Sequence, residues 1–141
     1  MKDSLIGSSV SRVDAFQKVT GNAPYINDYN VPSSLHAKVL RSPYAHAKIV
    51  SVDTTMAAKL PGVKAIITGK DCGGGLYGMG IYDTPVLALD RVLYIGEPVA
   101  AVAATSMDAA EEALEKIHVE YRELPVLLAP EDAMRVEPPL R

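Results

Sequence analysis

Residues 91–125, RVLYIGEPVAAVAATSMDAAEEALEKIHVEYRELP, decide the fold. They contain three elements in a row. Residues 99–104 are a short, continuous run of Val and Ala, bounded by Gly96 and Pro98 on one side and by Thr105 and Ser106 on the other. An unbroken apolar run of that length is the pattern of a buried strand. Pro98 stands at its opening, where a missing N–H does least harm. Residues 106–117 have helical spacing. Ser106 or Thr105 can cap the helix, and Asp108, Glu111 and Glu112 place negative charge toward the end where backbone N–H groups lack partners. Ala109, Ala110, Ala113, Leu114 and Ile117 share one face; Glu111, Glu112, Glu115 and Lys116 form a solvated face. Residues 118–122 alternate, with Val119 and Tyr121 on one side, and predict a second strand. Strand, helix and strand with minimal loops predict a parallel, right-handed crossover.

Working back toward the N-terminus, residues 63–68 predict a strand, preceded by a short helix over 56–60. Asp53 or Thr54 can cap that helix, and Pro61 and Gly62 stop it. Residues 47–52 predict another strand, with Ala47, Ile49 and Ser51 on one face. Residues 35–40 predict one more, with Leu35, Ala37 and Val39 alternating against His36, Lys38 and Leu40. Residues 22–34 are rich in turn formers. Residues 12–19 predict one or two helical turns, with Val13, Phe16 and Val19 spaced to face inward and Gly21 as the stop. Residues 1–11 are polar and small, a mobile lead-in. Beyond the opening stretch, residues 125–130 read as extended and 131–134 as one helical turn. The prolines of the VEPPLR ending resist helix and strand alike. The mixed order of strands and short helices argues for an α+β fold with a mixed sheet.

The chain has 141 residues, 48% hydrophobic and 22% charged, which describes one globular domain rather than a disordered chain. A net charge of −3 supplies no basic field for nucleic acid or anionic lipid. No apolar run approaches the roughly 20 residues of a membrane helix, and no signal-peptide pattern opens the chain. A single cysteine, Cys72, cannot form an internal disulfide, which favours a reducing, cytoplasmic compartment.

The candidate chemistry is sparse. Residues 73–78, GGGLYG, satisfy GxGxxG in form, but no helix opens inside the motif to meet a pyrophosphate. Two readings stay open: a surface loop, or a loop lining a pocket or subunit contact, since Leu76, Tyr77, Met79, Ile81 and Tyr82 are too apolar for a spacer. His36, His46 and His118 lie on different elements and form no metal-binding spacing. Cys72 lacks a partner and an obvious base. The turn Arg41, Ser42, Pro43, Tyr44, Ala45, His46 is either a tight connection or a contact to a partner domain or an anion. The residues alone describe a domain without a self-contained active site.

Several ordered motifs carry a resemblance. Arg41-Ser42-Pro43 with Ala45-His46-Ala47, Leu60-Pro61-Gly62-Val63, Gly96 with Pro98-Val99-Ala100, and Val119-Glu120-Tyr121 followed by Leu124-Pro125 resemble the a/b hammerhead domain of the xanthine dehydrogenase and aldehyde oxidase family. Tyr44, Lys48 and Glu97 depart from that family's commonest residues. The resemblance covers residues 12–134 and implies an α+β, mixed-sheet hammerhead domain, with 135–141 as a linker toward a following molybdopterin-binding domain. It implies a structural and substrate-funnel piece of a molybdenum hydroxylase, inactive alone. No cofactor is expected in this chain; molybdopterin, iron–sulfur clusters and FAD are implied for the assembled enzyme. The implied partners are the molybdopterin-binding domains and the iron–sulfur portion. No catalytic residue transfers. Leu76, Tyr77, Met79 and Tyr82 are the expected funnel positions, and Arg41, His46 and Glu97 the expected contacts to a partner domain. The alternative is a stand-alone module that keeps the fold and binds a small molecule or protein.

Overall fold

The computed structural model describes residues 6–29 and 31–135. They fall into two units, one ending at Pro32 and one beginning at Ser33. Expectations for residues 1–5, for Asn30 and for the 136–141 tail lie outside the described residues. In the first unit, helix α1 (Ala15–Val19) is a turn and a half long. A 3₁₀ turn (Ile26–Asp28) follows, closed by the Tyr25 N–H donating to the Asp28 carboxylate at 2.8 Å. Val13, Phe16 and Val19 are exposed rather than turned inward. Helical spacing states which side chains share a face; it does not supply something for that face to pack on.

The second unit holds β1 (His36–Arg41), β2 (Ala47–Asp53), β3 (Val63–Thr68), β4 (Leu76–Tyr77), β5 (Thr84–Pro85), β6 (Arg91–Val92), β7 (Pro98–Ala104), helix α2 (Met107–Glu115), β8 (His118–Glu123) and helix α3 (Pro130–Ala133). The strands form a sheet in the order β1-β7-β3, a second in the order β6-β2-β8, and the small pair β4-β5. This architecture bears out the α+β class, while the sheets of the described residues are antiparallel rather than mixed.

The crossover expected around α2 is corrected by the strand pairing. β7 pairs antiparallel with β1 and β3, while β8 pairs antiparallel with β2 in the other sheet. α2 therefore carries the chain between sheets, not over one sheet to a parallel neighbour. Every ladder among the described residues is antiparallel. Length and periodicity specify the three elements; which edge β8 joins is set by Ala47 and Ile49, far away in sequence.

α2 begins where its cap predicts. Ser106 is extended, and its hydroxyl accepts the Ala109 N–H at 3.2 Å. Replacing Ser106 with Ala should cost about 1 kcal/mol, read as a lower urea midpoint. Ala110 and Ala113 are fully buried, and Ala113 packs with the buried Ala100 and Val102 of β7. Methyl-sized side chains on both surfaces let helix and sheet approach closely. On the flank, Lys38 pairs with Glu111 at 2.6 Å, a half-exposed contact worth under about 1 kcal/mol.

A second cluster, Ala47, Ile49, Ala88, Val92 and Val99, joins the start of β7 to the other sheet. The inward face of β2 departs from the expected alternation. A bulge between Ile49 and Ser51 leaves Val50 exposed and turns Val52, not Ser51, toward the core. One extra residue in a strand exchanges the two faces beyond it. The short helix expected at 56–60 is a 3₁₀ turn (Ala57–Lys59), with Thr55 N–H donating to Asp53 Oδ1 at 2.9 Å.

β7 is apolar on both faces, and the described residues of the second unit bury one face more fully than the other. Ala100, Val102 and Ala104 face α2 and are buried. On the opposite face Val99 is buried, but Ala101 and Ala103 are only half-buried. Their cross-strand partners on that face are Val39 and Ala37 in β1 and Ile67 and Ala65 in β3, all four exposed. Two rows of Ala, Val and Ile thus cross three strands, and among the described residues of the second unit nothing buries them.

Candidate functional site

The turn after β1 is stitched to the loop before β7. Arg41 Nη1 donates to the Gly96 carbonyl at 2.8 Å, Gly96 N–H donates to the Ser42 carbonyl at 2.8 Å, and Ser42 N–H donates to the Glu97 carbonyl at 2.9 Å. Glu97 is 2% exposed, and its Oε2 accepts the Leu93 N–H at 2.5 Å. Ser42 is equally buried; its hydroxyl accepts the Tyr44 N–H at 3.0 Å. Tyr44 stacks obliquely on Tyr121, with ring centroids 5.0 Å apart. Burial raises the Tyr121 phenol above its ordinary pKa, with the Ser42 hydroxyl acting against that shift.

Of the three expected contact residues, the structure thus turns Glu97 inward, where it braces residues 93–97. Arg41 reaches across the same seam and is exposed. His46 belongs to another junction. Its Nδ1–H donates to the Pro125 carbonyl at 2.6 Å, and its own carbonyl accepts the Leu124 N–H at 3.0 Å. The acceptor is a carbonyl, so Nδ1 carries the proton.

The glycine-rich stretch forms a small hairpin. Thr68 and Asp71 open it: the Thr68 N–H and hydroxyl both donate to Asp71 Oδ2, at 2.8 and 2.9 Å, and hold its carboxyl below the usual carboxylate range. β4 pairs with β5 through Leu76 with Pro85 and Tyr77 with Thr84. At the tip, a side chain on Gly78 would run into the Ile81 carbonyl, so only glycine closes this turn. The expected funnel residues all lie on this hairpin and none is buried: Leu76 and Tyr77 are about half exposed, Tyr82 is 72% and Met79 fully exposed.

Two concavities flank it. A cavity of about 200 Å³ is lined by Gly75, Leu76, Pro85, Leu87 and Leu89, with Cys72, Asp90 and Arg91 also in its wall. Gly74, Gly75 and Leu76 of the glycine-rich loop form part of its wall. Cys72 is half-buried, its thiol 3.5 Å from the Thr68 carbonyl. A larger groove of about 740 Å³ runs between Leu93, Tyr94 and Ile95 and residues 125–128, with His46 in its wall. Sequence reading missed this groove. The only available signal was the apolar run Val126, Leu127, Leu128 after a proline.

Among the described residues no three His, Cys, Asp or Glu side chains converge as metal ligands, and the three histidines stay on separate elements. No helix of the described residues is long and apolar enough to cross a membrane.

The fold and the site together define a domain class, and comparison with known proteins supplies the family. The family described as "Aldehyde oxidase and xanthine dehydrogenase, a/b hammerhead domain" matches residues 20–125. The chain is 51% identical, over 88% of its length, to a probable xanthine dehydrogenase subunit from Bacillus subtilis (strain 168), and spans 17% of that protein. Among solved structures it resembles quinoline 2-oxidoreductase from Pseudomonas putida 86, with 39% identity, TM-score 0.85, and coverage of 96% of this chain and 18% of that one. It equally resembles a Cu,Mo-CO dehydrogenase, with 36% identity, TM-score 0.85, and coverage of 95% and 17%. The protein belongs to the a/b hammerhead family of xanthine dehydrogenases and aldehyde oxidases, a domain of molybdenum hydroxylase large subunits.

The described residues leave no buried polar group over to hold a molybdenum cofactor. Among the described residues, every fully buried side-chain polar atom already has a hydrogen-bond partner. The one buried carboxylate among them, Glu97, is committed to the Leu93 N–H.

Proposed function

We propose that this chain is a scaffold and substrate-funnel piece of a molybdenum hydroxylase, inactive by itself and completed by molybdopterin-binding domains and an iron–sulfur portion. FAD belongs to the assembled enzyme as the onward electron acceptor, and the assembly is cytoplasmic. The observation that carries this reading is the bare face of β7 and its neighbours. A strand apolar on both sides is the pattern of a sheet covered on both sides, and exposed apolar patches of this kind mark interaction surfaces. The chain spans only 17–18% of the relatives named above, so a cover from the rest of the large subunit is available.

In this reading Leu76, Tyr77, Met79 and Tyr82 approach the substrate funnel. Arg41 and His46 contact the neighbouring domain, and Glu97 contributes by holding residues 93–97 in place. Replacing Tyr77 and Tyr82 together with Ala should leave the fold intact, because both side chains are more than half exposed. In the assembled enzyme it should change the ratio of kcat/KM between a bulky and a small substrate by about tenfold, or 1.4 kcal/mol. Unchanged ratios on every substrate tried would remove the funnel role.

A second reading has the cavity of about 200 Å³ in its favour: a stand-alone module that binds a small molecule beside Cys72. Co-expression with the molybdenum-binding portion separates the two. A stable complex supports the first reading, and a chain that remains alone supports the second.

A further inference from the structure

Residues 124–129 run free of helix, turn and ladder, and Ala129 at their end is extended. Leu124 completes the pairing of β8 with β2 through its N–H. At Pro125, which has no N–H to offer, the His46 ring takes over and binds the carbonyl at 2.6 Å. The next three residues, Val126, Leu127 and Leu128, make no backbone hydrogen bond to any described residue. A run of N–H and C=O groups held in place without partners is a template for another strand. The side chains there are 46%, 41% and 86% exposed and wholly apolar. Tyr94 and Ile95, 49% and 69% exposed, form the facing wall of the 740 Å³ groove.

We propose that residues 126–128 are a strand-addition edge, and that its occupant is an extended, apolar segment from the remainder of the same large subunit. This rests on the scaffold reading above and gives it a specific docking mode. Backbone complementarity selects an extended segment over a helix, because a helix has no free N–H and C=O groups along its sides. Apolar walls select apolar side chains. Attachment within one polypeptide raises the effective concentration to about the millimolar range, which favours that source over a separate protein. The relatives supply chain for it, since the match covers 17–18% of their length. His46 is then a positioning residue: it holds the edge straight before the partner arrives.

Hydrogen–deuterium exchange of the assembled enzyme tests this. The amides of residues 126–128 should exchange ~100-fold more slowly than unpaired amides of the same sequence. Leu127→Pro, which removes a donor, should reduce the assembled fraction about tenfold, and Leu127→Ala far less. Fast exchange at residues 126–128 within an intact assembly overturns the strand-addition edge and leaves the scaffold reading standing. Slow exchange with cross-links from this segment only to a second copy of the chain overturns the assigned occupant. A wild-type chain that never joins a molybdenum-binding portion has no such occupant, and overturns both readings.

Discussion

Ala101→Asp should leave the chain folded and prevent its assembly, while Val102→Asp, one residue further along β7, should unfold it. The two residues point to opposite faces of the same strand. Val102 is 1% exposed and packs against Ala113 and Ile117. Its cross-strand neighbour Lys38 is already paired with Glu111, so a carboxylate there meets no free cation. An uncompensated buried charge costs about 3–5 kcal/mol, comparable to the whole stability of many domains of this size. Ala101 lies on the bare face beside Val39 and Ile67. Water reaches an Asp there, so the cost to the lone domain is the poor strand propensity, under about 1 kcal/mol. Once a neighbour covers the face, the same carboxylate is stranded. Association should weaken by roughly a hundredfold or more. Circular dichroism and size-exclusion chromatography with the molybdenum-binding portion read the two outcomes. Assembly of Ala101→Asp at wild-type affinity would show that this face is not where the neighbour sits.

The second large effect is expected at Gly69. A Cβ built there would lie 2.8 Å from both the Ala88 carbonyl carbon and the Leu89 Cα, and closer still to the Ala88 oxygen. These are backbone atoms and cannot rotate away. Ala88 is 3% exposed, belongs to the core cluster of Ala47 and Val99, and donates its N–H to the Pro98 carbonyl at 2.8 Å. Gly69→Ala must therefore push residues 87–89 off the start of β7. Overpacking of this kind costs about 1–3 kcal/mol. Gly75→Ala is the matched control: nothing lies within 4 Å of its Cβ, and the chain should lose little. Urea midpoints with an unchanged slope compare the two. Equal midpoints would mean that the close approach at Gly69 relaxes freely.

Local rules account for what was legible in the sequence. β7 announced itself by an unbroken apolar run, and α2 by its cap and its alanine face. Ser106, Ala110 and Ala113 do in the structure what their spacing implies. Pairing partners were not legible, because β8 meets β2 across about half of the chain and the β8 sequence does not name its neighbour. The bulge at Val50 was hidden for a similar reason: an inserted residue looks like any other apolar residue until its partner strand is known. At the candidate site, the hairpin's exposed aromatics could be foreseen from composition. The buried brace of Glu97 could not, since a glutamate beside a proline reads as surface. The His46 bond to Pro125 joins residues 79 positions apart, beyond the reach of any local pattern.

The route of α2 from one sheet to the other also fixes how this polypeptide must fold in time. Its two main sheets contain no hairpin of consecutive strands. Val39 waits for Ala101, and Ile49 waits for Tyr121. Loop closure must precede any reward from pairing, which is the regime of slow folding. On the ribosome, β1 and β2 emerge long before either has a partner. The nascent chain exposes bare strand edges until β7 and β8 have emerged, and this interval is when it most needs a holdase.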